Sequence, residues 1–225
     1  MVATYVRRRV YTAHQQYTQG HYQPDVADSY RYSKPAPGEI RLVELYRSHP
    51  LAGLSARLHI CPLSRAPPYE AISYTWGDVT TNHTLLIDGC SLPITRNAFM
   101  ALHAMVPLWG SRLVWMDSVS INQQDSLDKN HQVALMAKIY QQATRTLSWI
   151  GDSANAERAV LQLYRLRPAL VSKQMYQEVI DMMNMKVCGI ETSPTWSAVS
   201  ELLSHQYWTR MWIIQELAVS KEVFV

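Results

Sequence analysis

Glu216 is one of the residues in this chain whose type and spacing could do chemistry. It lies in Trp212-Ile213-Ile214-Gln215-Glu216-Leu217, and on a helix Trp212, Glu216 and Val219 fall on one face at i, i+4 and i+7. A carboxylate beside an indole and aliphatic side chains is partly desolvated, which is how proteins make carboxylates reactive. The same residue could instead form a salt bridge with Arg210 or Arg112, or face solvent. A second polar stretch, Asp117-Ser118-Val119-Ser120-Ile121-Asn122-Gln123-Gln124-Asp125, follows the apolar Leu113–Met116. Carboxylate and amide groups there could grip sugar hydroxyls, or Asp117 and Asn122 could simply satisfy loop backbone while Asp125 caps a helix. The third stretch is Tyr69–Asp78, where an apolar run ends in Ser73-Tyr74-Thr75-Trp76-Gly77-Asp78. Ligands of α/β proteins bind beyond the carboxyl ends of strands, although an ordinary strand edge and turn would read the same way.

Other chemistries find little support. GxGxxG, GxxxxGK[ST] and GxSxG do not occur. His205 has no Cys or carboxylate at metal-ligand spacing, and Cys61, Cys90 and Cys188 form no CxxC pair. No metal site is expected, and a reducing, cytoplasmic setting fits best. Met175, Met182, Met183 and Met185 read as an adaptable core or interface face rather than ligands.

The elements that must position these residues follow from periodicity. Ile40–Tyr46, Ala56–Cys61 and Tyr69–Trp76 read as strands. Leu85–Ile87 and Leu92–Ile94 flank Asp88-Gly89 and predict a tight hairpin. Thr95 is placed to cap a helix over 96–106, and Asp125 one running to about Gln142. Leu113–Met116 and Thr146–Ile150 are short and apolar, as buried strands are. Helices are expected near 155–166, 173–186, 195–204 and 210–219, with a strand beginning at Val223. The alternation predicts an α/β fold with a mainly parallel sheet, a small β-hairpin and extra helices. Residues 1–38 read as a Tyr-rich polar arm without aliphatic periodicity, closed by Lys34-Pro35-Ala36-Pro37-Gly38 and expected to be a tail that buries little apolar surface, and residues 39–225 as the folded domain.

The net charge of +3 sits in residues 1–35, where Arg7, Arg8, Arg9, Arg31 and Lys34 outweigh Asp25 and Asp28. The remaining 190 residues are balanced, so no nucleic-acid partner is expected of the folded part. No run reaches the roughly 18 apolar residues of a membrane span, so no transmembrane segment is expected. The end of the chain within an apolar strand suggests that a longer parent protein continues.

Together the blocks Tyr69–Asp78, Arg112–Asp152 and Tyr207–Val219 resemble, in order and spacing, those of the HET (heterokaryon incompatibility) domains of fungi. The middle block carries Ser120-Ile121-Asn122-Gln123-Gln124-Asp125, Lys129, Gln132-Val133, Met136, Ile139-Tyr140 and Trp149-Ile150-Gly151. Ser120 stands where the family usually has Cys, so a shared cysteine nucleophile is not expected. Asp128 replaces a usual Glu. Two segments are also similar to TIR domains: Tyr69–Tyr74 to their first box, and Trp212–Leu217 to the stretch whose Glu carries NAD+ cleavage.

The resemblance implies a TIR-like or flavodoxin-like sheet and a cell-death effector of non-self recognition that hydrolyses NAD+ on assembly. Glu216 is then the catalytic candidate. Ser73, Tyr74, Trp76 and Trp212 are expected to bind or stack on substrate, and Asp117, Asn122 and Arg210 to contact ribose or phosphate. NAD+ would be substrate rather than cofactor. The implied partners are further copies of the chain and an NLR-type or other incompatibility protein. The competing reading is a non-catalytic oligomerisation and signalling module.

Overall fold

A computed structural model describes residues 28–47, 54–151, 155–156, 158–161 and 194–225. The chain divides into two compact units: the residues up to Trp149 together with Ile214–Val225, and Ile150–Ile213.

The first unit is built on an eight-stranded mixed sheet in the order β5-β4-β2-β1-β6-β3-β7-β8. Its strands are β1 (Glu39–Arg47), β2 (Leu54–Pro62), β3 (Glu70–Tyr74), β4 (His83–Ile87), β5 (Cys90–Ile94), β6 (Ser111–Trp115), β7 (Thr146–Trp149) and β8 (Val223–Phe224). Pairing is parallel from β6 through β3 and β7 to β8, and between β2 and β4; β1 is antiparallel to both its neighbours, and β4 to β5. The fold is therefore mixed α/β. The expected parallel character is concentrated in the half of the sheet that carries Ser73.

Helix α1 (Arg96–Met105) packs Ala98, Ala101 and Leu102 against one face, with Val43, Leu45, Ile72, Tyr74 and Val114. After the one-turn helix α2 (Asp117–Ser120), helix α3 (Ser126–Gln142) packs Met136, Ile139 and Tyr140 on the other face, against Ile40, Leu42, Ala71 and Trp115. Strand residues alternate between the two clusters, as the period of two requires.

Local signals work as expected. Thr95 Oγ1 accepts the Ala98 N–H at 3.2 Å, and Asp125 Oδ1 accepts the Leu127 and Asp128 N–H groups at 2.9 and 3.2 Å. Asp88 and Gly89 turn the β4–β5 hairpin with φ of 49° and 82°, the left-handed pair that matches strand twist.

The arm differs from the expectation of a tail burying little surface. Residues 28–38 are packed on the domain. Ser29 bridges Ser91 on β5, Tyr30 joins the α1-side core, Pro35 is buried, and the Gly38 N–H donates to His131 Nε2 at 3.0 Å. Aromatic residues bury area without aliphatic periodicity, so the pattern alone did not reveal it. Residues 1–27 lie outside the described residues, as does the helix expected at 173–186 with its methionines.

In the second unit, α4 (Pro194–Leu203) contributes Ala198, Val199 and Leu202 to a small cluster with Ala159. A 3-10 turn, Gln206–Thr209, leads toward α5 (Met211–Ala218), the helix at the boundary of the two units. Among the described residues, no helix is long and apolar enough to cross a membrane.

Candidate functional site

Ser73 and Glu216 meet across the sheet–helix interface. Ser73 is 1% exposed on β3, and its hydroxyl donates to Glu216 Oε2; Glu216 is 1% exposed on α5. Alternation puts Ser73 on the same face as Ala71 and in register with Ser148 of β7. Around them runs a buried polar seam: Thr146 Oγ1 contacts Ser220 Oγ at 2.6 Å, and Ser220 Oγ donates to the Glu216 carbonyl. Small hydroxyl side chains on β3 and β7 let α5 approach closely while satisfying its polar groups.

Trp76 and Asp117 form a second pair. The Trp76 indole N–H donates to Asp117 Oδ2 at 2.9 Å, while Asp117 Oδ1 accepts the Ser118 N–H at 2.7 Å. Tyr74 is fully buried and, with Trp76 and Trp149, belongs to the α1-side cluster. The candidates on β3 therefore split: Ser73 and Glu216 on the α3 face, Tyr74 and Trp76 on the α1 face. Both sets lie at the carboxyl end of β3. From β3 the chain runs to β4, which lies on the β6 side of the sheet, while from β7 it leads on to β8 on the other side. That divergence makes the carboxyl ends of β3 and β7 a topological switch point, the kind of place where α/β folds bind ligands.

The loop after β3 is held tightly. Asn97 Nδ2 on α1 donates to the Thr75 carbonyl at 3.1 Å, and Gly77 adopts φ +65°. A Cβ on Gly77 would meet Asn97 Nδ2 at 2.5 Å.

Asn122 has a local role. Its Oδ1 accepts the Gln124 N–H at 3.2 Å and its own N–H donates to Asp128 Oδ2 at 2.8 Å. On α5 the buried positions are Ile213 and Glu216, whereas Trp212 is 49% exposed. The helix is thus rotated from the face expected of Trp212 with Glu216. Arg210 and Trp212 fall in the second unit, where the Arg210 carbonyl accepts the Ile213 N–H at 3.3 Å. Arg112, the other cation considered for Glu216, pairs with Glu70 at 3.1 Å, and Arg145 joins the same carboxylate at 3.0 Å.

Sequence reasoning missed the Arg41 hub. Arg41, 2% exposed, donates from Nη1 to Asp128 Oδ2 at 2.8 Å and to the Ser120 carbonyl at 3.1 Å. Its Nε and Nη2 reach the Ser33 carbonyl at 3.1 and 2.7 Å. The Tyr32 ring lies 5.1 Å from the guanidinium carbon. The signal was present: an arginine interrupts the apolar strand Ile40-Arg41-Leu42-Val43, and a buried charge needs a partner. Among the described residues, no three His, Cys, Asp or Glu side chains cluster as a metal ion requires.

The Heterokaryon incompatibility protein (HET) family model matches residues 69–216, from the residue preceding β3 to Glu216 itself. Heterokaryon incompatibility protein 6, OR allele, of Neurospora crassa is 32% identical over 151 residues, covering 60% of this chain and 22% of that protein. The chain thus spans about a fifth of the length of the curated relative it matches. No solved structure matches the chain. The family match takes in well over half of the chain and reaches all three polar stretches, and the chain belongs to the HET family.

Proposed function

We propose that this domain is an effector of fungal heterokaryon incompatibility that cleaves NAD+ when copies assemble. The observation that carries the reading is the buried Ser73–Glu216 pair at the carboxyl end of β3. The relative from Neurospora crassa is named for incompatibility, and the TIR-like Trp-x-x-x-Glu segment of α5 supplies the reaction. The N-glycosidic bond between ribose C1′ and the nicotinamide nitrogen breaks, and its electron pair leaves with neutral nicotinamide. Water adds to the oxocarbenium-like ribosyl cation and loses a proton, giving ADP-ribose. Glu216 stabilises the cation electrostatically, as carboxylates do in glycosidases, and Ser73 orients the carboxylate. Trp76 offers a ring face for nicotinamide or adenine, and Asp117 fixes that indole.

At 1% exposure Glu216 is covered in this state, so substrate requires a shift of α5, and the resting monomer is slow. Assembly, driven by an NLR-type or other incompatibility partner, supplies that shift. The same burial favours a second reading, in which Glu216 only docks α5 and the domain signals by assembly without catalysis. Clustering the chain through a fused oligomeriser, adding NAD+ and measuring nicotinamide separates the two. Release that disappears in Glu216→Gln supports catalysis. Cell death without nicotinamide release, retained in folded Glu216→Gln, supports the scaffold.

A further inference from the structure

Helix α2 is a single turn, too short to hold itself, because nucleating a turn fixes several residues for one bond. Its two ends have different partners. At its start, Asp117 caps the Ser118 N–H and receives the Trp76 indole N–H. At its end, two carbonyls accept donors from outside the helix. Val119 takes the Tyr32 hydroxyl at 2.9 Å, and Ser120 takes Arg41 Nη1 at 3.1 Å. Both donors precede the residues matched by the family model. Tyr32 is half-buried, and burial pushes its phenol well above the usual range against the opposing pull of Arg41, so it remains a neutral donor. Arg41 is anchored in turn by Asp128 on α3 and by the Ser33 carbonyl of the arm.

We infer that Tyr32 and Arg41 are positioning residues: by holding the last two carbonyls of α2, they set where Asp117 places the Trp76 indole. The arm segment around Tyr32 and Ser33 is thereby a working part of the domain, coupled to the β3 loop through one helical turn. The functional consequence rests on the proposed reading that Trp76 and Asp117 line the site; the structural coupling does not.

The test follows the indole N–H of Trp76 by nitrogen-15 NMR in the full chain, assigned by its loss in Trp76→Phe. Asp117→Ala supplies the reference signal of an indole without its acceptor. Tyr32→Phe removes one hydroxyl and keeps the ring over Arg41; Arg41→Lys keeps charge for Asp128 but loses the fork. In each, the Trp76 signal is expected to move toward the Asp117→Ala position, and its solvent exchange to quicken about three- to tenfold, while Trp149 stays unchanged. Folded Tyr32→Phe with a wild-type Trp76 signal and exchange rate overturns the inference, even if Arg41→Lys fails to fold. NAD+ consumption is measured on the same samples. A wild-type protein that consumes none removes the proposed reaction and leaves the indole result to decide the coupling.

Discussion

Asp128 and Glu216 are both buried carboxylates, yet they are held in different ways. Asp128 meets the Arg41 guanidinium and the Asn122 N–H, and the same guanidinium gathers the arm and α2. Glu216 meets a serine hydroxyl at the carboxyl end of a parallel strand, within the same compact unit. The first arrangement spends the carboxylate on cohesion: its charge is matched and its neighbours are backbone. The second leaves a carboxylate beside a small polar side chain at the end of a strand. Both residues lie within the family-matched residues, so that membership does not by itself distinguish a residue that builds the fold from one proposed to do chemistry.

The contrast can be broken experimentally. The largest effect is expected on activity. Glu216→Gln should reduce nicotinamide release by the assembled protein about 10²–10³-fold, the usual loss for one electrostatic group acting on a transition state. It should unfold within about 1 kcal/mol of wild type, because the amide still accepts from Ser73. Unfolding of this variant in urea at a much lower midpoint would make Glu216 a second Asp128.

Arg41→Ala should show the reverse. It strands Asp128 together with the Ser33 and Ser120 carbonyls, and losing one partner of a buried pair costs about 3–5 kcal/mol. Urea denaturation measures this directly, and a loss below about 1 kcal/mol would show that the pair does not hold the block. Deleting residues 1–35 removes Tyr30, Tyr32 and the Ser33 acceptor, and should cost about 2–4 kcal/mol. An unchanged melting temperature would return the arm to the free tail expected from its composition.

Gly77→Ala sharpens the comparison at the loop between the two regions. It places a Cβ against Asn97 at φ +65°, and should cost about 1–3 kcal/mol while displacing the Trp76 indole signal.

The smallest effect is a pH dependence carried by His83 and His103. Burial, with Arg96 near His83 and Arg47 near His103, lowers the pKa of both histidines below the ordinary value. The unfolded chain then binds more protons in the window just below that value, so stability is full above pH 6.5 and falls as pH drops toward 5. Melting temperatures at pH 7.5 and 5.5 should differ less in His103→Gln than in wild type. An equal difference would assign the acid loss elsewhere.

Much of the site was legible because its signals are local. The strand ending in Ser73, the loop at Asp117 and the helix bearing Glu216 can each be read from a short window. The pairing of Ser73 with Glu216, separated by 143 residues, cannot, because no sequence period reports which helix covers which strand. Rotation of α5 was misjudged for a related reason. Trp212 and Glu216 share a face by spacing, but spacing does not say which stripe is buried: Glu216 is 1% exposed and Trp212 49%.

The sequence by itself determined the family, the strands of the sheet, the helices that follow the caps at Thr95 and Asp125, and the Asp88-Gly89 turn. All of these depend on side chains within a few residues of the backbone they govern. Only the tertiary structure decided strand direction on either side of β1, the docking of residues 28–38, the partner of Arg41, and the division of the candidate residues between the two faces of β3. Those outcomes depend on long-range pairing, in which a buried donor or charge takes whichever partner the fold brings within hydrogen-bond reach.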